Sequence, residues 1–282
     1  MYARITETEL KGTPVLTGVT KDGAQATISL LGGQVLHWKP AGGRPWLYLS
    51  DDAVLDGSVS IRGGIPVCFP QFANQGSLPK HGLVRTRMWT FIEQRDDNDH
   101  VMLTFGIANN AETEAIWPHS FDLELTISVG GSRLDIELAI TNNGYSSFAF
   151  TTALHSYLHV DEVELARLEG LKGRKYKDKL DGDAIKTEAH EAVVVEEAVD
   201  RIYADATKPL RLIDGGRSLQ IVHEQFPDVV VWNPWEDGVK DLKDMPDRDF
   251  RRMLCVEAAV ASQRIELEAE NTWWGRQSLI DE

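Results

Sequence analysis

Glu257 is the residue of this chain that most needs a chemical explanation. The run Leu254-Cys255-Val256-Glu257-Ala258-Ala259 sets one carboxylate in the middle of an otherwise apolar strand. Burying a carboxylate is costly unless it is hydrogen-bonded, paired or protonated, and desolvation lifts its pKa toward the range of a general base. A buried ion pair with an arginine would explain the same residue equally well. His155 is the second candidate. Read as a strand, residues 153–159 put Ala153, His155, Tyr157 and His159 on one face. That setting favours a neutral imidazole able to exchange protons near neutral pH, although a structurally satisfied histidine is the commoner occupant of such a place. His155 and His159 have the i, i+4 spacing of a helical metal pair, but the pattern is strand-like and no third ligand lies near, so no metal is expected.

Binding chemistry is suggested elsewhere. Residues 60–87, SIRGGIPVCFPQFANQGSLPKHGLVRTR, carry Arg62, Lys80, His81 and Arg85 in a segment broken by repeated Gly and Pro. A long connection of this kind in a compact protein is typically a binding loop held by a rigid scaffold. Its cations suit an anionic ligand, with plain surface solvation as the alternative. Trp232-Asn233-Pro234-Trp235 brackets an amide with two indoles. Aromatic faces suit the C–H face of a sugar ring and Asn233 can hydrogen-bond its hydroxyls, but buried tryptophan is more often core. Asp200-Arg201 reads as a simple surface pair. No GxxxxGK[ST] loop, GxGxxG turn, GxSxG elbow or HExxH helix occurs, which removes support for nucleotide hydrolysis, hydride transfer and serine hydrolysis.

The elements that must position these residues read as β. Leu123, Leu125, Ile127 and Val129 alternate with polar residues, then Gly130-Gly131 intervenes, then Leu134, Ile136, Leu138 and Ile140 alternate again. That is an antiparallel hairpin with one buried face. Strands are also expected over 88–92, 101–107, 148–160, 219–223, 229–232, 253–259 and 264–270, and in short runs between glycine turns over 13–49. Residues 187–200 fit either a short helix or strands, and 237–252 a loop or one short helix. The spacing is that of an all-β sandwich or barrel with few short helices, and the absence of regularly interposed helices excludes a βαβ design.

No linker, repeat or low-complexity tract divides the chain, so residues 1–282 are expected to form one domain. The net charge of −15 argues against nucleic-acid or anionic-membrane surfaces, which makes the cation cluster of 60–87 more informative. Two cysteines, Cys68 and Cys255, are too few for a disulfide framework. With no apolar leader at the N-terminus and no long apolar run, a cytoplasmic protein is expected.

Taken in order, IRGGIPVCFPQF, LPKHGLVR, ALHSYL, VDRIY, VVVWNPW and CVEAA resemble the glucose-6-phosphate 1-epimerases, the hexose-6-phosphate branch of the aldose 1-epimerase family, and the similarity extends from about Leu16 to Leu279. The resemblance implies a large antiparallel β-sandwich of the galactose mutarotase type that interconverts the α and β anomers of a hexose 6-phosphate; acid–base ring opening requires no cofactor, and a monomer is expected. It implies His155 as general acid, Glu257 as general base on the opposite side of the sugar, and His81 as an auxiliary histidine. Arg62 and Arg85 would hold the phosphate and Asp200 the sugar hydroxyls. Lys80 stands where this branch often has Gln or Ser, adding a cation that bears on phosphate recognition. From the residues themselves, Asn233 and Trp235 join the expected sugar contacts. A mutarotase of unphosphorylated aldoses and a non-catalytic carbohydrate-binding sandwich are the competing readings.

Overall fold

The computed structural model describes residues 3–97 and 99–282. Their regular structure is almost wholly antiparallel β, in sheets of four, eight and nine strands. Among the described residues helix is confined to Ala111–Ile116, Trp235–Gly238 and the 3-10 turns Val239–Asp241 and Asp247–Arg252. None is long and apolar enough to cross a membrane.

The nine-stranded sheet follows directly from alternation. Leu123, Leu125, Ile127 and Val129 on Phe121–Gly130 lie opposite Ile140, Leu138, Ile136 and Leu134 on Arg133–Asn142, and all of them are buried. Gly131, at φ 56°, supplies the left-handed residue that the two-residue turn requires. Each such side chain contributes about 1.5–3 kcal/mol by leaving water, and a one-residue slip would turn the whole set outward.

At the centre of the eight-stranded sheet the pattern changes. Met253–Leu267 runs between Asp228–Asn233 and Phe148–Leu154, and residues 253–261 are buried on both faces. Leu254, Val256, Ala258 and Val260 join the core shared with the nine-stranded sheet. Met253, Cys255 and Ala259 point the other way, into smaller clusters with Phe250 and Met245 or with Phe72 and Ile202. Glu257 belongs to this second face, so the carboxylate is roofed by loops and not by a second sheet.

Residues 60–87 are mostly irregular, as expected, but not free-standing. Val67–Cys68 pairs with Leu154 and Ala153, fixing the segment to the sheet. Gly64 and Gly82, at φ 62° and 83°, allow this approach: a Cβ on them would lie 2.2 Å from the Val35 carbonyl oxygen and 2.0 Å from that of Phe69.

Some boundaries differ from the sequence reading. The strand expected over 148–160 divides into Phe148–Leu154 and Tyr157–His159, because the His155 N–H donates to the Pro66 carbonyl (2.9 Å). The strand expected over 88–92 begins at Thr90. Residues 187–200 resolve into Ala192–Val193 and the start of Val199–Tyr203, and 237–252 into the end of the helix Trp235–Gly238 and two 3-10 turns.

Candidate active site

Glu257 and His155 meet because both segments flanking His155 pair with the central strand: Leu154 opposes Ala258 and Tyr157 opposes Cys255. His155 Nε2 lies 3.5 Å from a Glu257 carboxylate oxygen. Glu257 is 1% exposed and His155 8%. The second carboxylate oxygen and His155 Nδ1 are buried without a hydrogen-bond partner among the described residues. Burial pushes the Glu257 carboxyl well above the usual range; Asp200 adds to that and Lys80 opposes it. Burial pulls His155 down to about 3, with Arg85 and Arg62 acting in the same direction. Burial thus acts against charge on both members of the pair, disfavouring the Glu257 carboxylate and the His155 imidazolium alike.

Aromatic rings surround that imidazole. Tyr157 stacks on it at 4.8 Å and 11°, while His81 and Trp232 meet it edge-on at 5.3 and 6.2 Å. His81 sits at φ 64°. The Ala73 N–H donates to His81 Nδ1 (3.3 Å), which leaves the proton of the neutral ring on Nε2; burial holds this histidine far below its ordinary pKa.

These groups line a cavity of about 410 Å³ that also takes in Arg62, Lys80, Arg85 and Asp200. Seven of the nine expected site residues are thus brought together: His155, Glu257, His81, Arg62, Lys80, Arg85 and Asp200. A second cavity of about 590 Å³ adjoins the first and shares Ser60, Arg62, Lys80 and Arg85 with it, so the cations stand at the seam between the two. Asp200 is half-buried, and burial raises its carboxyl against the pull of Lys179 and Lys80. A larger surface depression of about 800 Å³ beside Met88 and Ile92 contains no such acid–base pair.

Asn233 and Trp235 are not part of this cavity. The Asn233 amide donates to the Phe250 and Met253 carbonyls (both 2.8 Å) and accepts from the Trp235 N–H (2.9 Å), so its hydrogen-bonding capacity is used in holding the 235–253 segment. Trp235 packs on Phe250. The indole that lines the cavity is Trp232. The expectation of acid and base on opposite sides also changes: His155 and Glu257 stand side by side.

Tyr157, Trp232 and Lys179 in this cavity, and Asp244 in the adjoining one, are polar or aromatic residues outside the expected set. Tyr157 was visible as the i+2 neighbour of His155 on a shared face, and Trp232 as half of the tryptophan pair. Lys179 and Asp244 carried no local signal. Asp244 accepts from Arg62 Nε (3.2 Å) across 182 residues, and Arg62 Nη1 donates to the Tyr157 hydroxyl (3.0 Å). Atoms of His155, Cys255 and Glu257 lie within 4.8 Å of one another. Burial raises the Cys255 thiol well above its usual pKa.

A carboxyl with a raised pKa beside an imidazole with a lowered one, in one sugar-sized cavity, is apparatus for moving protons on a small polar molecule. The aldose 1-epimerase family model matches residues 15–279. The chain belongs to the aldose 1-epimerase family. It is an epimerase of the kind that exchanges the α and β anomers of a sugar. A protein from Cenchrus ciliaris provisionally named glucose-6-phosphate 1-epimerase is 37% identical over 269 residues, 90% of this chain and 80% of the relative. One of the same provisional name from Escherichia coli K12 is 34% identical, covering 85% of this chain and 81% of its own. A provisionally assigned mutarotase from Salmonella typhimurium, solved by crystallography, superposes with a TM-score of 0.91 at 28% identity, over 98% of this epimerase and 93% of its own chain.

Proposed function

We propose that this epimerase interconverts the anomers of hexose 6-phosphates, with glucose 6-phosphate as the leading substrate. The observation that carries the reading is the position of the acid–base pair in the same cavity as Arg62, Lys80 and Arg85, a cation cluster in a protein of net charge −15. Arginine forks match phosphate oxygens bidentately, and a phosphate offers these cations a charge that a neutral sugar lacks.

Glu257 as carboxylate takes the proton from O1 while His155 as imidazolium gives one to the ring oxygen O5. The C1–O5 bond breaks and an open-chain aldehyde forms, leaving a protonated carboxyl and a neutral imidazole. Rotation about C1–C2 presents the other face of the carbonyl. His155 then recovers the O5 proton as O5 attacks C1, and Glu257 returns its proton to O1. Side-by-side placement suits this chemistry, because O1 and O5 are bonded to the same carbon. Each proton transfer contributes about 10²–10⁴-fold. His81 would present Nε2–H to the sugar, Asp200 would accept from ring hydroxyls, and Trp232 would offer an apolar face.

The test is polarimetry of freshly dissolved α-glucose 6-phosphate. A saturable acceleration toward the equilibrium rotation is expected; a rate equal to the spontaneous one would refute the reading.

A further inference from the structure

His155 is held without the hydrogen bond that normally orients a working histidine. A ring nitrogen opposite the reactive one usually donates to a carboxylate or carbonyl; here Nδ1 is buried and has no partner among the described residues. What fixes the ring angle is the face of Tyr157, parallel within 11° at 4.8 Å. Tyr157 is in turn held by Arg62 Nη1 (3.0 Å), and Arg62 by Asp244 through Nε (3.2 Å). Asp244 is anchored where its carbonyl accepts from Ser50 Oγ (2.7 Å). Arg62 and Asp244 are 20% and 14% exposed, so this is a mostly dry chain of contacts from the seam of the two cavities to the acid–base pair.

We propose that Asp244, Arg62 and Tyr157 form a positioning relay through which an anion bound at Arg62 activates His155, so that the 6-phosphate contributes to turnover as well as to affinity. The inference rests on the hexose-6-phosphate reading. Two physical effects give it a direction. A phosphate dianion competes with Asp244 for one guanidinium, and Tyr157, whose hydroxyl accepts from that guanidinium, moves with it. The field changes too. Arg85, Arg62 and Lys80 all disfavour a proton on His155, whereas of these three only Lys80 acts on Glu257. A dianion beside these cations therefore relieves a penalty on the His155 imidazolium that Arg62 and Arg85 do not place on Glu257, which favours the loaded acid that ring opening needs. His81, Trp232 and Cys255 are also packed against His155, and none of them supplies a compensating negative charge. Binding energy from a non-reacting part of the substrate is thereby used at the reacting carbon.

The experiment separates the phosphate from the sugar. Anomer exchange of unphosphorylated glucose is followed by NMR magnetisation transfer with and without inorganic phosphite, and protein-free rates are subtracted. Phosphite should raise the protein-dependent kcat/KM of the wild type by roughly 10-fold or more and then saturate. In Tyr157→Phe the gain should fall below about 2-fold while calorimetric phosphite affinity stays near that of the wild type, since removing the hydroxyl cuts the relay without removing a cation. Asp244→Asn should lower the half-activating phosphite concentration several-fold. No rise with phosphite in a wild type that turns over glucose 6-phosphate would overturn the relay, as would a full gain in Tyr157→Phe. A wild type inert toward glucose 6-phosphate removes instead the function on which the relay rests.

Discussion

Leu125 and Leu138 face each other across the middle of the nine-stranded sheet, while the middle of the eight-stranded sheet holds Glu257, paired in register with Val230. Both are central places in a sheet, and both are buried. The first sheet spends its interior face on close-packed side chains and its outer face on solvent. The second has a core on one face and a roofed cavity on the other, so a charge-bearing group can be desolvated without being sealed in packed hydrocarbon. The difference teaches where this fold tolerates a thermodynamically poor residue: on the loop-covered face, where the residue meets substrate.

Replacing Glu257 with Gln sharpens the contrast most. Turnover should fall by about 10²–10⁴-fold, while stability holds or rises because a neutral amide escapes the cost of desolvating an ionisable carboxyl. Urea denaturation beside polarimetry checks both; a strongly destabilised but active Gln variant would break the comparison. Leu138→Ala should do the reverse, costing about 2–5 kcal/mol of stability with turnover per folded molecule unchanged. A smaller effect separates the two tryptophans. Trp232→Ala should raise KM several-fold through lost ring contact, of order 1 kcal/mol, and Trp235→Ala should leave KM unaltered.

The smallest predicted effect concerns acid. Burial lowers His155, between Phe148–Leu154 and Tyr157–His159, to about 3 and His223, on Arg217–Glu224, to about 4. A folded pKa below the unfolded value of ~6.5 means that the unfolded chain binds more protons. Their contribution to stability is complete above pH ~6.5 and declines as pH falls from there toward the folded values. Glu257, raised in the fold, works in the opposite sense and loses its contribution as pH rises through its folded pKa. Urea midpoints between pH ~4 and 7 should decline less steeply in His223→Gln and in His155→Gln, by up to about one proton each, and only His155→Gln should also lose turnover.

Much of this was legible in the sequence for one reason: alternation and its interruption are local. The hairpin of Phe121–Gly130 and Arg133–Asn142 is readable because its period matches the pleat, and Glu257 stands out because it violates an apolar run. The cationic character of 60–87 is likewise visible in residue types. The rest depends on long-range contacts. Nothing near Arg62 in sequence announces Asp244, and the WNPW segment looks like a sugar platform until the Asn233 amide is found holding Phe250 and Met253. The helix Ala111–Ile116 is only six residues long; its signal is the cap at Asn110, which accepts from the Glu112 and Thr113 N–H groups (both 3.0 Å), and it has no hydrophobic period to betray it. Arg4–Leu10 has almost no buried face to read.

The central claim is that the imidazole and the carboxylate work as one device on one sugar. The direct measurement is a double-mutant comparison of anomer exchange in wild type, His155→Gln, Glu257→Gln and the combined variant, by magnetisation transfer on glucose 6-phosphate. Residues that act as a unit are non-additive, so the combined variant should be no more than about 3-fold slower than the slower single one. Losses that multiply would mean that the two side chains act independently, and would contradict the account.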